Sequence, residues 1–328
     1  MDNRLAEIVK TAMVPYRLNL QAGDRVLIVT DTSTDPLLTQ AFTAAAIALD
    51  VMPIVTMRPP LPYHHADLDP ANLAAMNEVN LVHLLTTRAT LHSPAGHRKQ
   101  LEGVKFLASE QLTVSMLQEG AATADYEAMN AVAEELYEVM QSGKSLHLTT
   151  AGGTDLVGDI TGRPSWICAG RVEENPGLDL NACGFPDGEV GMAPIEESIE
   201  GTIVWDVSMH HCGLIDEPIV AQVKAGAVVS IEGGAEARAL EAFLEANGDE
   251  GSRIVCETSI GINERARITG LVREDKKAAG TVHVALGMNT DTGGVVASRT
   301  HLDGVMRNPT VVVDGRTIVR DGELRLTD

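Results

Sequence analysis

Residues 23–57, GDRVLIVTDTSTDPLLTQAFTAAAIALDVMPIVTM, decide the fold class. The apolar run over residues 25–30 reads as a buried strand, set off upstream by Gly23-Asp24. Thr34-Asp35-Pro36 then marks a helix start. Thr34 or Asp35 accepts the free N–H groups of the first turn, and Pro36 suits its opening position. An Ala-rich helix follows over residues 37–49, and residues 52–57 form the next strand. The unit repeats downstream. A helix near residues 70–77 leads to a strand over 81–85, and one near 95–101 leads to a strand over 104–108. Helices near 111–118 and over 126–141 come next, and a strand over 146–149 closes the series. This alternation predicts an α/β fold with a parallel sheet and helices on both faces. No GxGxxG follows the first strand and no GxxxxGK[ST] occurs, so a nucleotide site has no motif here. The first half reads as a scaffold that shapes a pocket.

The character changes after Ala151. Gly, Pro and Asp become frequent, as in AGGTDLVGDITGRP and NACGFPDGEVGMAP, and helix signals thin out. Strands joined by turns take over at residues 201–206, 219–223 and 228–232, with one helix over 235–245. A hairpin over residues 310–325 turns at Asp314-Gly315. The expected division is an α/β scaffold domain over residues 1–150 and a mixed α+β domain over 151–328 that carries the chemistry.

Composition narrows the function. The chain has 328 residues, 44% apolar and 22% charged, with a formal net charge of −21 and a pI near 4.8. So acidic a surface argues against nucleic acid and against anionic membranes, both of which call for basic side chains. Aromatics are only 3%, so Ala, Val, Leu, Ile and Met must build the core. No apolar run approaches the ~20 residues that span a bilayer. MDNRLAEIVKTAMVPYRLNL reads as an amphipathic helix without the basic start and apolar run of a signal peptide. Cys168, Cys183, Cys212 and Cys256 are scattered with no CxxC, and read as free thiols of a reducing cytoplasm.

The chemistry concentrates between Gly280 and Asp314. His301 and Asp303 are one residue apart, so on a strand both point to one face. His283 lies in a second apolar strand, and a turn-rich Asn-Thr-Asp-Thr-Gly-Gly loop separates the two. Imidazole with carboxylate suits zinc, manganese, cobalt or ferrous iron. The plainer alternative for His283 is a core histidine. Two more acids stand out. Glu257 sits in an apolar strand, where a carboxylate must be paired or bind a metal; Glu189 follows the turn Pro186-Asp-Gly. Of the adjacent pair His210-His211, at most one can face a site, with a structural or supporting role. His64-His65 reads as a surface pair, and Leu91-His92-Ser-Pro opens a helix, read as a plain cap ahead of a site for a substrate carboxylate.

Several of these motifs resemble the aminopeptidase T family of metallopeptidases. They are Gly153-Thr-Asp-Leu with Gly162-Arg163, Pro186-Asp-Gly-Glu189 with Ala193-Pro194, and Glu200-Gly-Thr202. Further along come Glu257 ahead of Ile260-Gly-Ile-Asn263, Gly280-Thr-Val-His283-Val-Ala-Leu-Gly287, and His301-Leu-Asp303. The resemblance implies two divalent ions (zinc, cobalt or manganese) held by Glu189, Glu257, His283, His301 and Asp303. It implies a cytoplasmic homodimer acting on a small molecule or short peptide, with Glu189 or Glu257 taking the proton of a bridging water. It departs at Thr290, where those peptidases carry a tyrosine. The loop Asn289-Thr-Asp-Thr-Gly-Gly294 with His301-Leu-Asp303 resembles instead the 2,5-dihydroxypyridine 5,6-dioxygenases, which implies one ferrous ion on two histidines and an aspartate. Two of those map onto His301 and Asp303; the other histidine falls near Thr258-Ser259, where this chain has none. The leading expectation is therefore an aminopeptidase-type metallohydrolase. The alternative is a ferrous ring-cleaving dioxygenase of a hydroxylated pyridine, and a third is a member that has lost activity.

Overall fold

The computed structural model describes residues 3–63, 66–91, 93–172, 178 and 180–326. His64, His65 and His92 lie outside the described residues. The chain divides into two compact units, one of residues 1–124 with 168–187, the other of residues 125–167 with 188–328. Where a single boundary near residue 150 was expected, the chain passes between the units three times, after residues 124, 167 and 187.

The first unit holds a five-stranded parallel sheet in the order Met52–Arg58, Arg25–Asp31, Leu81–Leu85, Phe106–Ala108, Ala182–Gly184. The helix Pro36–Ala48 begins as its sequence requires, with the Asp35 carboxylate accepting the Leu37 N–H and Pro36 in the first turn. The core is aliphatic around a few rings. His83 is buried in it, bound through Nδ1 to the Tyr16 hydroxyl at 2.8 Å and through Nε2 to Ser109 Oγ at 2.9 Å. The α/β class holds, but the strand that was to end the parallel series does not belong to it. Ser145–Thr149 pairs antiparallel with Asp155–Asp159. The reason is the short turn between them, closed by the Thr150 N–H on the Thr154 carbonyl. A parallel neighbour needs a long crossover, whereas a tight turn admits only an antiparallel one. The fifth parallel strand is instead Ala182–Gly184.

The second unit has two antiparallel sheets. One is eight-stranded: Ala227–Glu232, Ile219–Lys224, Glu200–Trp205, Asp155–Asp159, Ser145–Thr149, Thr310–Val313, Arg316–Arg320, Glu323–Leu324. The Asp314-Gly315 turn lies between Thr310–Val313 and Arg316–Arg320, both of its residues at positive φ. The other is seven-stranded: Gly213–Leu214, Ser208–Met209, His301–Met306, Val282–Gly287, Val255–Gly261, Glu189–Met192, Ser165–Cys168. No helix among the described residues is long and apolar enough to cross a membrane.

Register in the seven-stranded sheet places the chemistry. Gly261 lies opposite Glu189, Ser259 opposite His283, Glu257 opposite Ala285, Asp303 opposite Ala285 and His301 opposite Gly287. Directly opposed residues share a face and side chains alternate along each strand. Glu189, Glu257, Ser259, His283, His301 and Asp303 therefore share one face, with small residues left between them. On the reverse face Gly304 leaves room for Trp205, whose indole N–H donates to the Val284 carbonyl at 3.2 Å. A Cβ at Gly304 would stand 2.3 Å from Trp205 Cδ1. Gly304→Ala should therefore destabilise the protein by about 1–3 kcal/mol, the usual range for overpacking, read as a lower urea midpoint.

Candidate metal centre

The site is built from three strands and one turn. Val255–Gly261 contributes Glu257, Val282–Gly287 contributes His283, and His301–Met306 contributes His301 and Asp303. Lys276 and Lys277 come from the turn after the short helix Val272–Asp275. Asp275 ties that turn down by accepting the backbone N–H groups of Thr269 at 2.6 Å and Gly270 at 3.0 Å.

Glu257, His301 and Asp303 each offer a donor atom, and the three lie within 4.8 Å of one another. His301 Nε2 is 3.1 Å from Glu257 Oε2 and 3.0 Å from Asp303 Oδ1. The other ring nitrogen fixes the tautomer. His301 Nδ1 is 2.8 Å from the Met288 carbonyl, which only accepts, so Nδ1 carries the proton. In the neutral ring, Nε2 then turns a lone pair toward two carboxylates. Such a convergence needs a cation at its centre, either a proton on His301 or a metal. With no metal, a proton answers it. Burial opposes charge on His301, but Cys256, Asp303 and their hydrogen bonds outweigh it and hold its pKa well above the ordinary value. With Nε2 unprotonated, the buried Asp303 Oδ1 has no donor. The donor set thus fits a divalent cation held by Glu257 Oε2, His301 Nε2 and Asp303 Oδ1.

His283 stands behind this group. Its Nε2 is 2.8 Å from Glu257 Oε1, and Ser259 Oγ donates to that same oxygen at 2.8 Å. Two donors on Oε1 leave Oε2 free to face His301. Near Thr258-Ser259, where the dioxygenase resemblance called for a histidine, the chain thus has a hydroxyl that orients Glu257. Burial opposes ionisation of Glu257, yet the bonds from His283 and His301 hold its pKa well below the ordinary range. Asp303 is also held well below it: burial opposes, and Lys276, then His301 and His283, outweigh the burial. Lys276 Nζ is 2.8 Å from Asp303 Oδ2.

Glu189 shares the face but not the cluster. Its Oε1 is 2.6 Å from Lys277 Nζ and 3.7 Å from Lys276 Nζ. Its Oε2 comes no nearer than 3.8 Å to His283 Nδ1, without a hydrogen bond on either atom. Both acids are buried, and Glu257 lies on an interior strand of the seven-stranded sheet. Of the histidine pair, His210 takes the Asp303 backbone N–H on Nδ1 at 2.9 Å, while His211 stacks on Phe243 with centroids 4.4 Å apart.

Several residues escaped the sequence. Lys276-Lys277 in REDKKAAG looks like a solvated charge run, and only the fold turns it inward. Glu196 and Asn289 order the loop that precedes His301. Glu196 accepts from the Val295 N–H and from Asn289 Nδ2, both at 2.9 Å, and pairs with Arg163. Arg163 Nη1 also donates to the Gly293 carbonyl at 2.7 Å. The Gly162-Arg163 and Asn289-Thr motifs were the available signal. Glu196→Ala would leave Arg163 without its carboxylate, costing about 3–5 kcal/mol. Limited proteolysis should then cut residues 288–300, which stay intact in the wild type.

A family model described as 2,5-dihydroxypyridine 5,6-dioxygenase matches residues 14–326. The 2,5-dihydroxypyridine 5,6-dioxygenase of Pseudomonas putida KT2440 is 25% identical over 269 residues, 77% of this chain and 74% of that protein. A solved structure of 2,5-dihydroxypyridine dioxygenase from the same organism superposes with a TM-score of 0.84 at 21% identity, covering 98% of this chain and 97% of that one. AmpT of Thermus thermophilus superposes with a TM-score of 0.67 at 16% identity, covering 97% and 99%. Both superpositions speak for the fold. The aminopeptidase resemblance is accordingly a fold relation. The family match and the curated relative overturn the expectation of a hydrolase, an aminopeptidase or a metallopeptidase, and with it the role of Glu189 or Glu257 as base toward a bridging water.

Proposed function

Because the chain belongs to the 2,5-dihydroxypyridine 5,6-dioxygenase family, we propose that it opens the ring of a dihydroxylated pyridine with dioxygen, using one ferrous ion. The ring bond between two adjacent carbons breaks, and both oxygen atoms enter the product. What carries the reading is the convergence of Glu257, His301 and Asp303 in a chain of this family. When bound, a ferrous ion supplies the one-electron chemistry that lets triplet dioxygen react with a closed-shell ring.

The protein's own groups do the rest. Glu257 Oε2, His301 Nε2 and Asp303 Oδ1 would hold the ion. Met288 fixes the His301 ring, His283 and Ser259 orient Glu257, and Lys276 orients Asp303. Charge argues for a single ion. Three carboxylates (Glu189, Glu257, Asp303) against two ammonium groups (Lys276, Lys277) leave one negative charge. One divalent ion turns this into one positive charge, matched to a singly deprotonated ring. A second ion would leave three positive charges in a buried place, and the acid it would need is already held by Lys277.

Protein reconstituted with ferrous iron under nitrogen should bind one iron per chain by elemental analysis. It should consume dioxygen and 2,5-dihydroxypyridine one for one, with both atoms of labelled dioxygen in the product. His301→Ala should abolish iron binding, whereas His283→Ala, which spares the three donors, should weaken it about 10–100-fold. Two ions per chain, or no oxygen uptake by the iron-loaded protein, would sink the reading.

A further inference from the structure

The strand Ser208–Met209 pairs with His301–Met306, Ser208 opposite Val305 and Met209 opposite Gly304. It stops at Met209, and the Cys212 N–H closes a tight turn onto the Met209 carbonyl, with His211 at φ +67°. The turn brings His210 back over Asp303. The His210 N–H donates to the Asp303 carbonyl at 3.1 Å, and the Asp303 N–H returns a bond to His210 Nδ1 at 2.9 Å. A nitrogen that accepts an N–H carries no proton of its own, so the proton of this imidazole sits on Nε2. Among the described residues Nε2 has no hydrogen-bond partner.

Access points the same way. The His210 side chain is 36% exposed, His301 19% and Lys276 14%, whereas Glu257, Asp303 and His283 are 6%, 3% and 0% exposed. Solvent therefore reaches the cluster along the edge formed by His301, Lys276 and His210. The half-exposed His210 ring stands on that edge, against Asp303. The family match says nothing of this residue.

Resting on the ring-opening reading above, we propose that His210 is a substrate-binding residue whose Nε2–H donates to a ring oxygen of the hydroxylated pyridine. The locked tautomer makes it a donor only. It favours a ring that offers a deprotonated hydroxyl or carbonyl oxygen, and gives nothing to an amine or a bare carbon edge. Its double tie to the Asp303 backbone holds the ring in place beside that carboxylate, one of the residues that would hold the ion.

The alternative is that His210 merely positions Asp303, and two substitutions separate the roles. His210→Asn places an acceptor near the Nδ1 position and loses the distal donor. His210→Gln keeps an N–H near the Nε2 position and loses the inner acceptor. The measurements are iron content and anaerobic titration of each ferrous-loaded protein with 2,5-dihydroxypyridine. H210N should keep its iron and bind the ring about 10-fold more weakly, the worth of one hydrogen bond, and H210Q should recover most of that loss. H210N that binds as tightly as a wild type that itself binds would overturn the role of His210 alone. So would an H210N that loses its iron, since that marks positioning of Asp303. A wild type that takes up iron and binds no ring overturns the ring-opening reading, and this one with it.

Discussion

Three carboxylates, Glu189, Glu257 and Asp303, are buried on one face of an otherwise apolar sheet, and their surroundings answer that constraint. An isolated buried charge is too costly to survive, so each acid is met by a donor. Lys277 meets Glu189, Lys276 meets Asp303, and His283 with Ser259 meets Glu257. These partners use one oxygen of each acid. The oxygens that remain on Glu257 and Asp303 turn toward His301. A cation site is thus what is left over once every other buried charge has been neutralised.

That remainder would be indeterminate if His301 could rotate or change tautomer. Met288 prevents both, and Met288 is itself placed by a loop whose ends are joined by the Met288 N–H on the Thr300 carbonyl. Inside the loop, Asn289 bridges the Glu196 carboxylate, the Cys256 carbonyl and the Val296 N–H. Loop, ion pair and imidazole form one chain of dependence. A change at Arg163 or Glu196 therefore reaches the centre without touching it.

The sequence made the first sheet legible because its strand and helix signals alternate with well-formed caps such as Asp35-Pro36. It failed at residues 145–149, where the apolar pattern alone could not say which sheet the strand would join; the turn that follows it could. His301 and Asp303 were legible as one face, since pleat and spacing are local properties; that Glu189, Glu257 and His283 join that face follows from register across strands, which the sequence does not show. The division of the five into a tight trio, an orienting His283 and a lysine-bound Glu189 was not legible. It depends on Lys276-Lys277, whose inward turn is set by Asp275 and by pairing across the sheet. The hydrolase expectation counted ligand types, and the same types serve both chemistries in related folds.

The chain has two tryptophans, and both are seated on the sheet that carries this centre. Trp205 lies against Gly304, the neighbour of Asp303 in sequence, and Trp166 lies against Gly191, two residues after Glu189. By the pleat, Gly191 belongs to the face that bears the acids and Gly304 to the reverse. The indole emission of the whole protein therefore originates from the two sides of a single layer. It is a built-in optical gauge of that layer, able to follow the arrival of a cation or the loosening of the sheet without any added label.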